Sequence, residues 1–296
     1  MYSAARKQQA PAKVNLGLVV QRRRADGYHD ISTIFLKISL ADTLVMESIP
    51  SRIVIECDHP DVPCDERNLI YQAAAALQPL TPGRGVRIQL RKRIPVAAGL
   101  GGGSSDAAAA LLGLNTLWGL QLTPTALASY AARLGADVPF FLLPDTAALG
   151  EGRGDELTAL LCPQAFFLVL VTPPIAVSTA WVYGKFRFEL TGVPKDTTIL
   201  RQYLESGDIA GLGATCSNDL ETVVLPEFSV VRDVKRVLRQ PGTYGVCMSG
   251  SGPSVYALCP SQMVAQRVAN VAQSHGWPTW VCQLWQDGAS TPEGCA

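Results

Sequence analysis

Residues 95–106 read Pro-Val-Ala-Ala-Gly-Leu-Gly-Gly-Gly-Ser-Ser-Asp, and a run rich in alanine and leucine follows over residues 107–117. The glycines leave the backbone bare, so its N–H groups can surround an anion without Cβ atoms in the way. Ser104, Ser105 and Asp106 are N-cap candidates for the helix that the following run predicts, and a helix N-terminus carries partial positive charge. A flexible linker would not end in such caps, so the stretch predicts a phosphate-binding site at a helix start.

This glycine-rich stretch differs from the common nucleotide-binding patterns. The dinucleotide pattern G-x-G-x-x-G, begun at Gly99 and Gly101, would need a third glycine where Ser104 stands. The P-loop pattern needs a lysine after its last glycine, and no lysine follows a glycine in this stretch. The protein-kinase signatures H-R-D and D-F-G are absent from the sequence. A different type of nucleotide cradle is therefore expected.

The overall composition indicates a globular protein with a substantial core. The chain has 296 residues, of which 48% are hydrophobic and 17% charged, and this length suits one large or two medium domains. Its 25 basic and 25 acidic residues cancel to zero formal net charge, so no overall field favours a nucleic acid or an anionic membrane.

The sequence carries no recognisable targeting or zinc-binding pattern. Residues 1–13 have charges but no apolar core, which argues against a signal peptide, and the apolar run at 165–171 is too short to cross a bilayer. The eight cysteines form no C-x-x-C pair and only three histidines are present, so neither a zinc site nor a disulfide framework is predicted. Reduced, mostly buried thiols in a cytoplasmic protein are expected.

Hydrophobic periodicity divides the chain into two halves of mixed α/β character. The first half, residues 1–160, predicts strands at 13–20, 31–40, 43–49, 52–57 and 86–94, helices at 68–77, 105–117 and 125–134, and a glycine-rich turn at 150–154. The second half, residues 161–296, predicts a strand at 166–171, helices around 178–186, 199–205, 219–224 and 230–239, and then strand 243–248, glycine loop 249–252, strand 254–258, helix 261–274 and strand 279–284. Residues from 287 onward are polar and expected to be frayed.

Four separated motifs occur in order along the chain. They are Pro11-Ala-Lys-Val-Asn-Leu-Gly-Leu, the glycine-rich stretch, Gly135-Ala-Asp-Val-Pro, and Ser249-Gly-Ser-Gly-Pro-Ser. The ordered set resembles the GHMP kinases, the small-molecule kinase family that includes galactokinase, homoserine kinase and mevalonate kinase. Arg24-Ala-Asp-Gly-Tyr-His and Asn218-Asp-Leu-Glu further resemble the branch of that family that acts on 4-diphosphocytidyl-2-C-methyl-D-erythritol. The resemblance extends from about residue 11 to about residue 258.

This resemblance implies a kinase that uses ATP and Mg²⁺ to phosphorylate the 2-hydroxyl of the CDP-linked methylerythritol in the non-mevalonate isoprenoid route. It implies the two-domain α+β fold of the GHMP kinases, with an N-terminal domain similar to the second domain of ribosomal protein S5 and a ferredoxin-like C-terminal domain. The substrate would lie in the cleft between the domains. The expected partners are ATP and this small molecule, without nucleic acid or membrane, and a cytoplasmic monomer or weak homodimer is expected.

Asp137 and Lys13 are the candidate catalytic residues. Asp137 could simply cap a helix, whereas the resemblance implies that it faces the acceptor hydroxyl, where an ionised aspartate can accept a proton at neutral pH. Lys13 could be a surface charge or a residue that protects a sheet edge. The resemblance instead implies a position beside the aspartate and the hydroxyl, where the ammonium would keep the carboxylate ionised and stabilise a developing alkoxide.

The glycine-rich stretch supplies most of the predicted ATP site. The residues assigned to ATP there are Pro95, Val96, Ala97, Ala98, Gly99, Leu100, Gly101, Gly102, Gly103, Ser104 and Ser105. Their backbone N–H groups would neutralise part of the triphosphate charge, as phosphoryl transfer requires. Either Ser104 or Ser105 could add a hydroxyl toward Mg²⁺, and no side chain is assigned as a metal ligand. Asn68 resembles an adenine-contacting position of the family.

Asn15, Tyr28 and His29 are predicted to bind the alcohol substrate. Asn15 lies two residues from Lys13 and hence on the same face of a strand. The Tyr28 ring offers a stacking face and His29 offers one donor and one acceptor, which the resemblance assigns to the cytidine. By pattern alone, these two residues would only begin a strand after a turn.

Thr179 and the loop at residues 249–252 complete the predicted substrate side. Thr179 matches a substrate-contacting threonine of the family. However, Thr172-Pro-Pro replaces the family's usual Asn/His-Pro-Gly, and proline cannot take the positive φ of a glycine, so the backbone near Thr179 is expected to differ. The loop at 249–252 could be a plain β-turn, whereas the resemblance implies that it shapes the substrate side of the active site.

Two other functions compete with this prediction. Another small-molecule GHMP kinase, of the homoserine or mevalonate type, would have no cytidine to hold and so no use for Tyr28 and His29. A non-catalytic nucleotide-binding regulator on the same fold would need neither Lys13 nor Asp137. A plain nucleotide hydrolase is disfavoured because nothing in the sequence positions a water in preference to an alcohol.

Overall fold

The computed structural model describes residues 5–191 and 197–286, and these residues form two compact units that interleave along the chain. The first unit comprises residues 5–12, 41–96 and 101–144, and the second comprises residues 13–40, 97–100, 145–191 and 197–286. The predicted division into residues 1–160 and 161–296 stays a prediction. The frayed end predicted from residue 287 lies outside the described residues.

The first unit combines four strand segments with four α-helices. Strand β1 (Arg6–Arg23) pairs with β2 (His29–Pro50), and both strands contribute residues to each unit. Residues Thr43–Pro50 of β2 pair antiparallel with β4 (Arg84–Arg91), which pairs parallel with β3 (Ile53–Cys57). The helices are α1 (Leu69–Leu77), α2 (Gly102–Leu117), α3 (Pro124–Leu134) and α4 (Val138–Leu142).

Two sequence predictions about this unit are wrong in their details. The strands predicted at 31–40 and 43–49 form one continuous strand, in which Asp42 is fully buried and accepts backbone hydrogen bonds. Helix α2 begins at Gly102, with Gly101 at the N-cap in the left-handed region, φ 69°. Ser104, Ser105 and Asp106 therefore lie inside the helix and do not cap it.

Close packing explains why alanine and glycine fill helix α2. Its residues Ala107–Ala110 are buried, and a Cβ atom added at Gly113 would lie 2.0 Å from the Met46 Cε atom of β2. No side chain larger than hydrogen fits there without movement of the methionine. The predicted cap of the next helix is confirmed, since the Thr123 hydroxyl accepts a hydrogen bond from the Ala126 N–H before Pro124 opens α3.

The second unit contains a four-stranded antiparallel sheet and a hairpin. The sheet has the order β10 (Thr279–Gln283), β7 (Phe167–Val171), β9 (Val255–Cys259), β8 (Gly245–Met248). Its β-α-β-β-α-β connectivity is the ferredoxin-like arrangement that was expected. The hairpin of β5 (Ala147–Glu151) and β6 (Glu156–Leu160) pairs with residues Thr33–Leu36 of β2. Only its glycine-rich turn was predicted.

Six described helices belong to the second unit. They are α5 (Thr179–Lys185), α6 (Thr197–Ser206), α7 (Ile209–Thr215), α8 (Glu221–Glu227), α9 (Ser229–Leu238) and α10 (Gln262–Gln273). The apolar faces of α9 and α10 pack with strands β7 and β9 in one buried cluster that includes Val234, Val268 and Val169. Helix α7 was not predicted, because its glycines obscure the helical period.

The helices and cysteines of the described residues bear on the requirements for a membrane span and for a disulfide bond. None of the helices described here is long and apolar enough to cross a membrane. The seven cysteines in this part of the chain are free thiols, and Cys247, Cys259 and Cys282 are buried. Burial raises the pKa of Cys282 to about 12, so this thiol stays protonated and unreactive at neutral pH.

Candidate active site

The predicted site residues are divided between the two units. The first unit contains Asn68, Pro95, Val96, Gly101, Gly102, Gly103, Ser104, Ser105 and Asp137. The second unit contains Lys13, Asn15, Tyr28, His29, Ala97, Ala98, Gly99, Leu100 and Thr179.

The glycine-rich stretch has an unusual backbone. Ala97, Gly99 and Gly101 have φ values of 54°, 74° and 69°, in the left-handed region that glycine adopts without strain. Alanine at position 97 adopts this conformation at a cost in free energy, since its Cβ atom crowds the backbone. Left-handed residues are a component of the backbone nests that bind anions.

Gly99 lies against the second glycine loop, Ser249–Gly252. A Cβ atom at Gly99 would be 2.5 Å from the Ser249 carbonyl oxygen and 3.0 Å from that of Gly252. The Ser249 hydroxyl donates a hydrogen bond to the Gly99 carbonyl at 3.1 Å and accepts one from the Asn15 N–H at 3.3 Å. The second loop is a turn closed by the Gly252 N–H and the Ser249 carbonyl, but it also holds the first loop in place.

The Asn218 side chain holds the second glycine loop through hydrogen bonds. Its Nδ2 atom donates hydrogen bonds to the carbonyl oxygens of Met248 at 2.9 Å and Gly250 at 2.7 Å. Its side-chain oxygen accepts the Leu220 N–H at 2.9 Å. Both the donor and the acceptor of the buried Asn218 amide are therefore hydrogen-bonded to backbone groups. This structural role explains its place in the Asn218-Asp-Leu-Glu motif.

Lys13 is buried on strand β1 and does not protect a sheet edge. Only 5% of its surface is exposed, and its Nζ atom donates a hydrogen bond to Asn15 Oδ1 at 2.8 Å. The ammonium also lies 5.0 Å from the centre of the Phe35 ring. The Lys13 N–H donates to the carbonyl of Leu100 at 2.9 Å, so the strand that carries the lysine is joined to the glycine-rich stretch. A buried ammonium is costly without a function or a partner.

Asn15 connects Lys13 to strand β2. Its Nδ2 atom donates to Thr33 Oγ1 at 2.8 Å while its Oδ1 atom accepts from the lysine. The Tyr256 hydroxyl donates to the Asn15 backbone carbonyl at 2.9 Å. These contacts hold the amide in one orientation and leave it one N–H and one lone pair for a ligand.

Asp137 precedes helix α4 at its N-cap position. Its φ and ψ are −81° and −16°, and its side chain makes no capping hydrogen bond to the helix. A carboxylate that serves as a cap normally accepts the N–H of the second or third helical residue. The capping interpretation of Asp137 is therefore not supported by the geometry, and the role of general base stays a prediction.

Asn68 caps helix α1. Its Oδ1 atom accepts the Ile70 N–H at 2.9 Å and its Nδ2 atom donates to the Pro63 carbonyl at 2.7 Å. These bonds give the side chain a structural role at the start of the helix. Its predicted contact with adenine stays a prediction.

His29 belongs to an aromatic group in the second unit. Its ring stacks on that of Tyr183 with 5.3 Å between ring centres, and Phe186 and Phe188 lie 6.1 and 6.3 Å away. Burial and, to a lesser extent, the charge of Arg23 lower the pKa of His29, so the imidazole is neutral at pH 7. A neutral imidazole keeps the one donor and one acceptor that a pyrimidine edge requires.

Thr179 contacts the second glycine loop. Its hydroxyl lies 2.8 Å from the Ser251 hydroxyl, within hydrogen-bond distance. Thr179 is the first residue of helix α5, whose N-cap is the hydroxyl of Ser178. The proline that departs from the family pattern at position 174 therefore does not prevent the threonine from reaching the loop.

The chain matches known kinases over most of its length. Residues 68–144 match the family model for the GHMP kinase N-terminal domain and residues 200–276 match that for the GHMP kinase C-terminal domain. A protein of Enterococcus faecalis named 4-diphosphocytidyl-2-C-methyl-D-erythritol kinase is 43% identical over 265 residues, which are 89% of this chain and 93% of that protein. A protein of the same name from Geobacter sulfurreducens is 44% identical over 90% of this chain and 95% of its own length. The chain belongs to the 4-diphosphocytidyl-2-C-methyl-D-erythritol kinase family.

Solved structures agree with this membership. A crystal structure of 4-(cytidine 5'-diphospho)-2C-methyl-D-erythritol kinase superposes with a TM-score of 0.81 at 37% identity and covers 95% of this chain and 100% of its own. Homoserine kinase from Cytophaga hutchinsonii superposes with a TM-score of 0.73 at 20% identity, over 96% of this chain and 95% of its own. The second similarity shows the shared GHMP kinase fold alone.

Two features of this GHMP kinase were missed by the sequence analysis. Tyr183 was read only as part of a helix, and its position on His29 could have been suspected from the aromatic spacing within residues 181–188. The second feature is a buried ion-pair cluster in which Lys92 Nζ contacts Asp42 and lies 2.8 Å from Asp106 Oδ2. Asp42 also accepts the backbone N–H groups of Arg93 and Ile94, which follow the end of β4.

This ion-pair cluster connects the segment before the glycine-rich stretch to the last residue of that stretch. Lys92 precedes Pro95 at the end of β4, and Asp106 follows Ser105 in α2. Burial and the nearby carboxylate of Asp42 raise the pKa of Asp106. Burial lowers the pKa of Lys92, but the two carboxylates outweigh it, so the net pKa is raised and the lysine stays charged.

Ser105 fits the Mg²⁺ that the family implies. Its Oγ atom is buried and has no hydrogen-bond partner, although it lies in the first turns of α2 directly after the glycines. Within the described part of the chain, no group of three or more histidine, cysteine or carboxylate side chains could hold a metal.

Proposed function

We propose that this GHMP kinase transfers the γ-phosphoryl group of ATP to the 2-hydroxyl of 4-diphosphocytidyl-2-C-methyl-D-erythritol, in the non-mevalonate route to isopentenyl diphosphate. The observation that carries this proposal is 43% identity to a kinase of that name over 89% of this chain. The neutral His29 imidazole, stacked on Tyr183 in the second unit, supports a nucleobase as part of the substrate.

In this proposal, the glycine-rich stretch binds the triphosphate through its backbone N–H groups. Left-handed residues at positions 97, 99 and 101 support this role because such residues are a component of anion-binding backbone nests. Mg²⁺, when bound, neutralises charge on the β- and γ-phosphates. Ser105 would hold it through the otherwise unpaired Oγ atom.

Asp137 and Lys13 would handle the proton and the charge of the acceptor. Asp137 accepts the proton of the 2-hydroxyl as its oxygen attacks the γ-phosphorus. Lys13 stabilises the developing negative charge on that oxygen. The burial of Lys13 and its hydrogen bond to Asn15 support this role, because they hold the ammonium in one position.

His29, Tyr183 and Tyr28 would bind the cytidine. A pyrimidine can stack on an aromatic ring and exchange hydrogen bonds with a neutral imidazole. Thr179 and Asn15 would contact the methylerythritol end of the substrate. The hydrogen bond between Thr179 and Ser251 supports a position of Thr179 next to the second glycine loop. A cytoplasmic location and a monomer or weak homodimer stay predictions, and the seven free thiols of the described residues are consistent with the former.

A coupled ADP-release assay tests the function directly. The purified chain is supplied with ATP, Mg²⁺ and, separately, the CDP-linked methylerythritol, homoserine, mevalonate and galactose. We expect turnover with the first alcohol and at most traces with the others. Turnover of homoserine or mevalonate instead, without inhibition by CDP, would assign the chain to another GHMP kinase activity. ATP binding without turnover of any alcohol would support a regulator.

A further inference from the structure

The turn of the β5–β6 hairpin brings Arg153 to the ring of Tyr28. The guanidinium carbon of Arg153 lies 5.4 Å from the centre of that ring, within the range of a cation–π contact. Gly152 and Gly154, on either side, have φ values of 62° and 93°, so the turn depends on two left-handed residues that place the arginine between them.

Asp155 fixes the orientation of the arginine. Its carboxylate accepts the Arg153 backbone N–H at 3.2 Å, Nε at 3.1 Å and Nη2 at 2.7 Å. A guanidinium held by two of its nitrogens presents its plane in a fixed direction, and a lysine could not do this. The arginine is therefore organised before any ligand arrives.

Tyr28 is held through its backbone while its ring remains exposed. Its N–H donates to Asp26 Oδ1 at 3.1 Å, and its carbonyl accepts the Arg24 N–H at 2.8 Å. The residue is 59% exposed, which is unusual for a tyrosine whose backbone is so well ordered. The Arg153 guanidinium lies over this exposed ring.

We propose that Arg153 is a positioning residue for nucleobase recognition: it supports one face of the Tyr28 ring so that the other face stacks on the cytosine. This inference rests on the proposed function. A ring already restrained loses less conformational entropy on binding, and this gain appears in substrate affinity and not in the chemical step.

Steady-state kinetics of Arg153→Ala with the CDP-linked methylerythritol test the proposal. We expect KM for this substrate to rise about 3- to 10-fold, with kcat and KM for ATP unchanged. Arg153→Lys should recover only part of the affinity, because lysine lacks the planar fork that Asp155 holds. Asp155→Asn should act in the same direction as Arg153→Ala, since it releases the arginine without removing it.

Two controls separate this role from a general effect of charge. Arg236→Ala removes an arginine of the second unit that is 77% exposed and paired with Asp233 on α9, and it should leave KM unchanged. In a Tyr28→Ala background, Arg153→Ala should cause no further rise in KM, because the arginine acts through the ring.

Three results would overturn the proposal. The first is a KM for Arg153→Ala equal to that of Arg236→Ala. The second is that Arg153→Ala raises KM equally in the wild-type and Tyr28→Ala backgrounds. The third is that Arg153→Ala lowers kcat without a change in KM. If Tyr28→Ala itself leaves KM unchanged while the CDP-linked alcohol is still phosphorylated, the nucleobase role fails but the proposed function stands. If the wild-type enzyme does not phosphorylate this alcohol, both fail.

Discussion

Lys13 Nζ donates a hydrogen bond to Asn15 Oδ1 at 2.8 Å, and both residues are buried on strand β1. The spacing of two residues places them on the same face of the strand, and Thr33 of β2 holds the amide from the other side. The ammonium is therefore restrained by a short chain of hydrogen bonds that ends in the sheet. A group restrained in this way can stabilise charge in a transition state without first reorganising.

Replacement of Lys13 by Met should lower kcat by about 10²–10³-fold, because the charge that stabilises the acceptor oxygen is lost. Asn15→Ala should lower kcat less, by up to about 10²-fold, since the lysine remains but is no longer restrained. The double variant should be little worse than Lys13→Met alone, because both residues act through one group. Steady-state kinetics on folded variants check this. If the losses of kcat in the two single variants multiply in the double variant, Lys13 and Asn15 act independently.

Asp137→Asn should lower kcat by about 10²–10⁴-fold, the range for loss of a general base. ATP affinity should be unchanged, because the glycine-rich stretch is intact. Rapid-quench measurements of phosphoryl transfer and ATP binding by calorimetry check both parts. Asp233→Asn, on the surface of α9, is the matched control and should retain full turnover. Turnover near the wild-type value in Asp137→Asn would remove this residue from the mechanism.

Gly103→Ala tests the approach of phosphate to the backbone. The position is helical and a Cβ atom there would meet only the Leu69 Cδ1 atom at 4.0 Å, so the fold should tolerate alanine and even gain helix stability. If triphosphate lies against this backbone, ATP affinity should nevertheless fall several-fold. Gly101→Ala should lose both affinity and about 1 kcal/mol of stability, because φ there is 69°. Unchanged ATP affinity in Gly103→Ala would place the phosphates elsewhere.

Tyr28→Ala should raise KM for the CDP-linked substrate about 5- to 150-fold, by analogy with the loss of a base-stacking aromatic residue. ATP handling should change little, because a different part of the chain is assigned to ATP. CMP should inhibit the wild-type enzyme in competition with the alcohol and inhibit Tyr28→Ala less. Tyr244→Ala, at a tyrosine that is 40% exposed, serves as the control. Failure of cytidine nucleotides to compete with the wild type would exclude a cytidine site.

Lys92→Met should destabilise the protein by about 3–5 kcal/mol, because two buried carboxylates lose their only described ion-pair partner. Lys92→Met with Asp106→Asn should recover part of this loss, since one of the stranded charges is removed. Urea denaturation measures both free energies of unfolding. Equal stability of the single and double variants would show that Asp106 carries no charge in the folded protein.

Much of the fold could be predicted because it is encoded locally. The Thr123-Pro124 start of α3 and the strands and helix that follow residue 243 are set by caps and hydrophobic periods within a few residues. The interleaving of the two units could not be predicted from caps and hydrophobic periods, because it depends on which distant segments pair. Strand β2 was predicted as two strands, 31–40 and 43–49, because the burial of Asp42 between them depends on a distant partner, Lys92.

The candidate site also combines features that are encoded locally with features that depend on distant residues. The glycine-rich stretch was evident because its chemistry lies in adjacent residues. The burial of Lys13 was not evident, because it results from contacts with β2 and with the carbonyl of Leu100. The Tyr183 ring on His29 and the Arg153 guanidinium on Tyr28 each join residues more than a hundred positions apart. Only the folded chain brings such residues together.

The interleaving of the units also constrains the order of events during synthesis. Asn15 is bound by Ser249, 234 residues later in the chain, and Leu18 pairs with Asn218. At elongation rates of about 5–20 residues per second, the C-terminal half of β1 waits on the order of ten seconds or more for these partners. Its buried face, which includes Leu16 and Leu18, is exposed on the ribosome throughout this interval. Slow translation of the second half would therefore favour capture of the nascent chain by chaperones, and the surroundings of Lys13 are complete only after residue 249 has emerged.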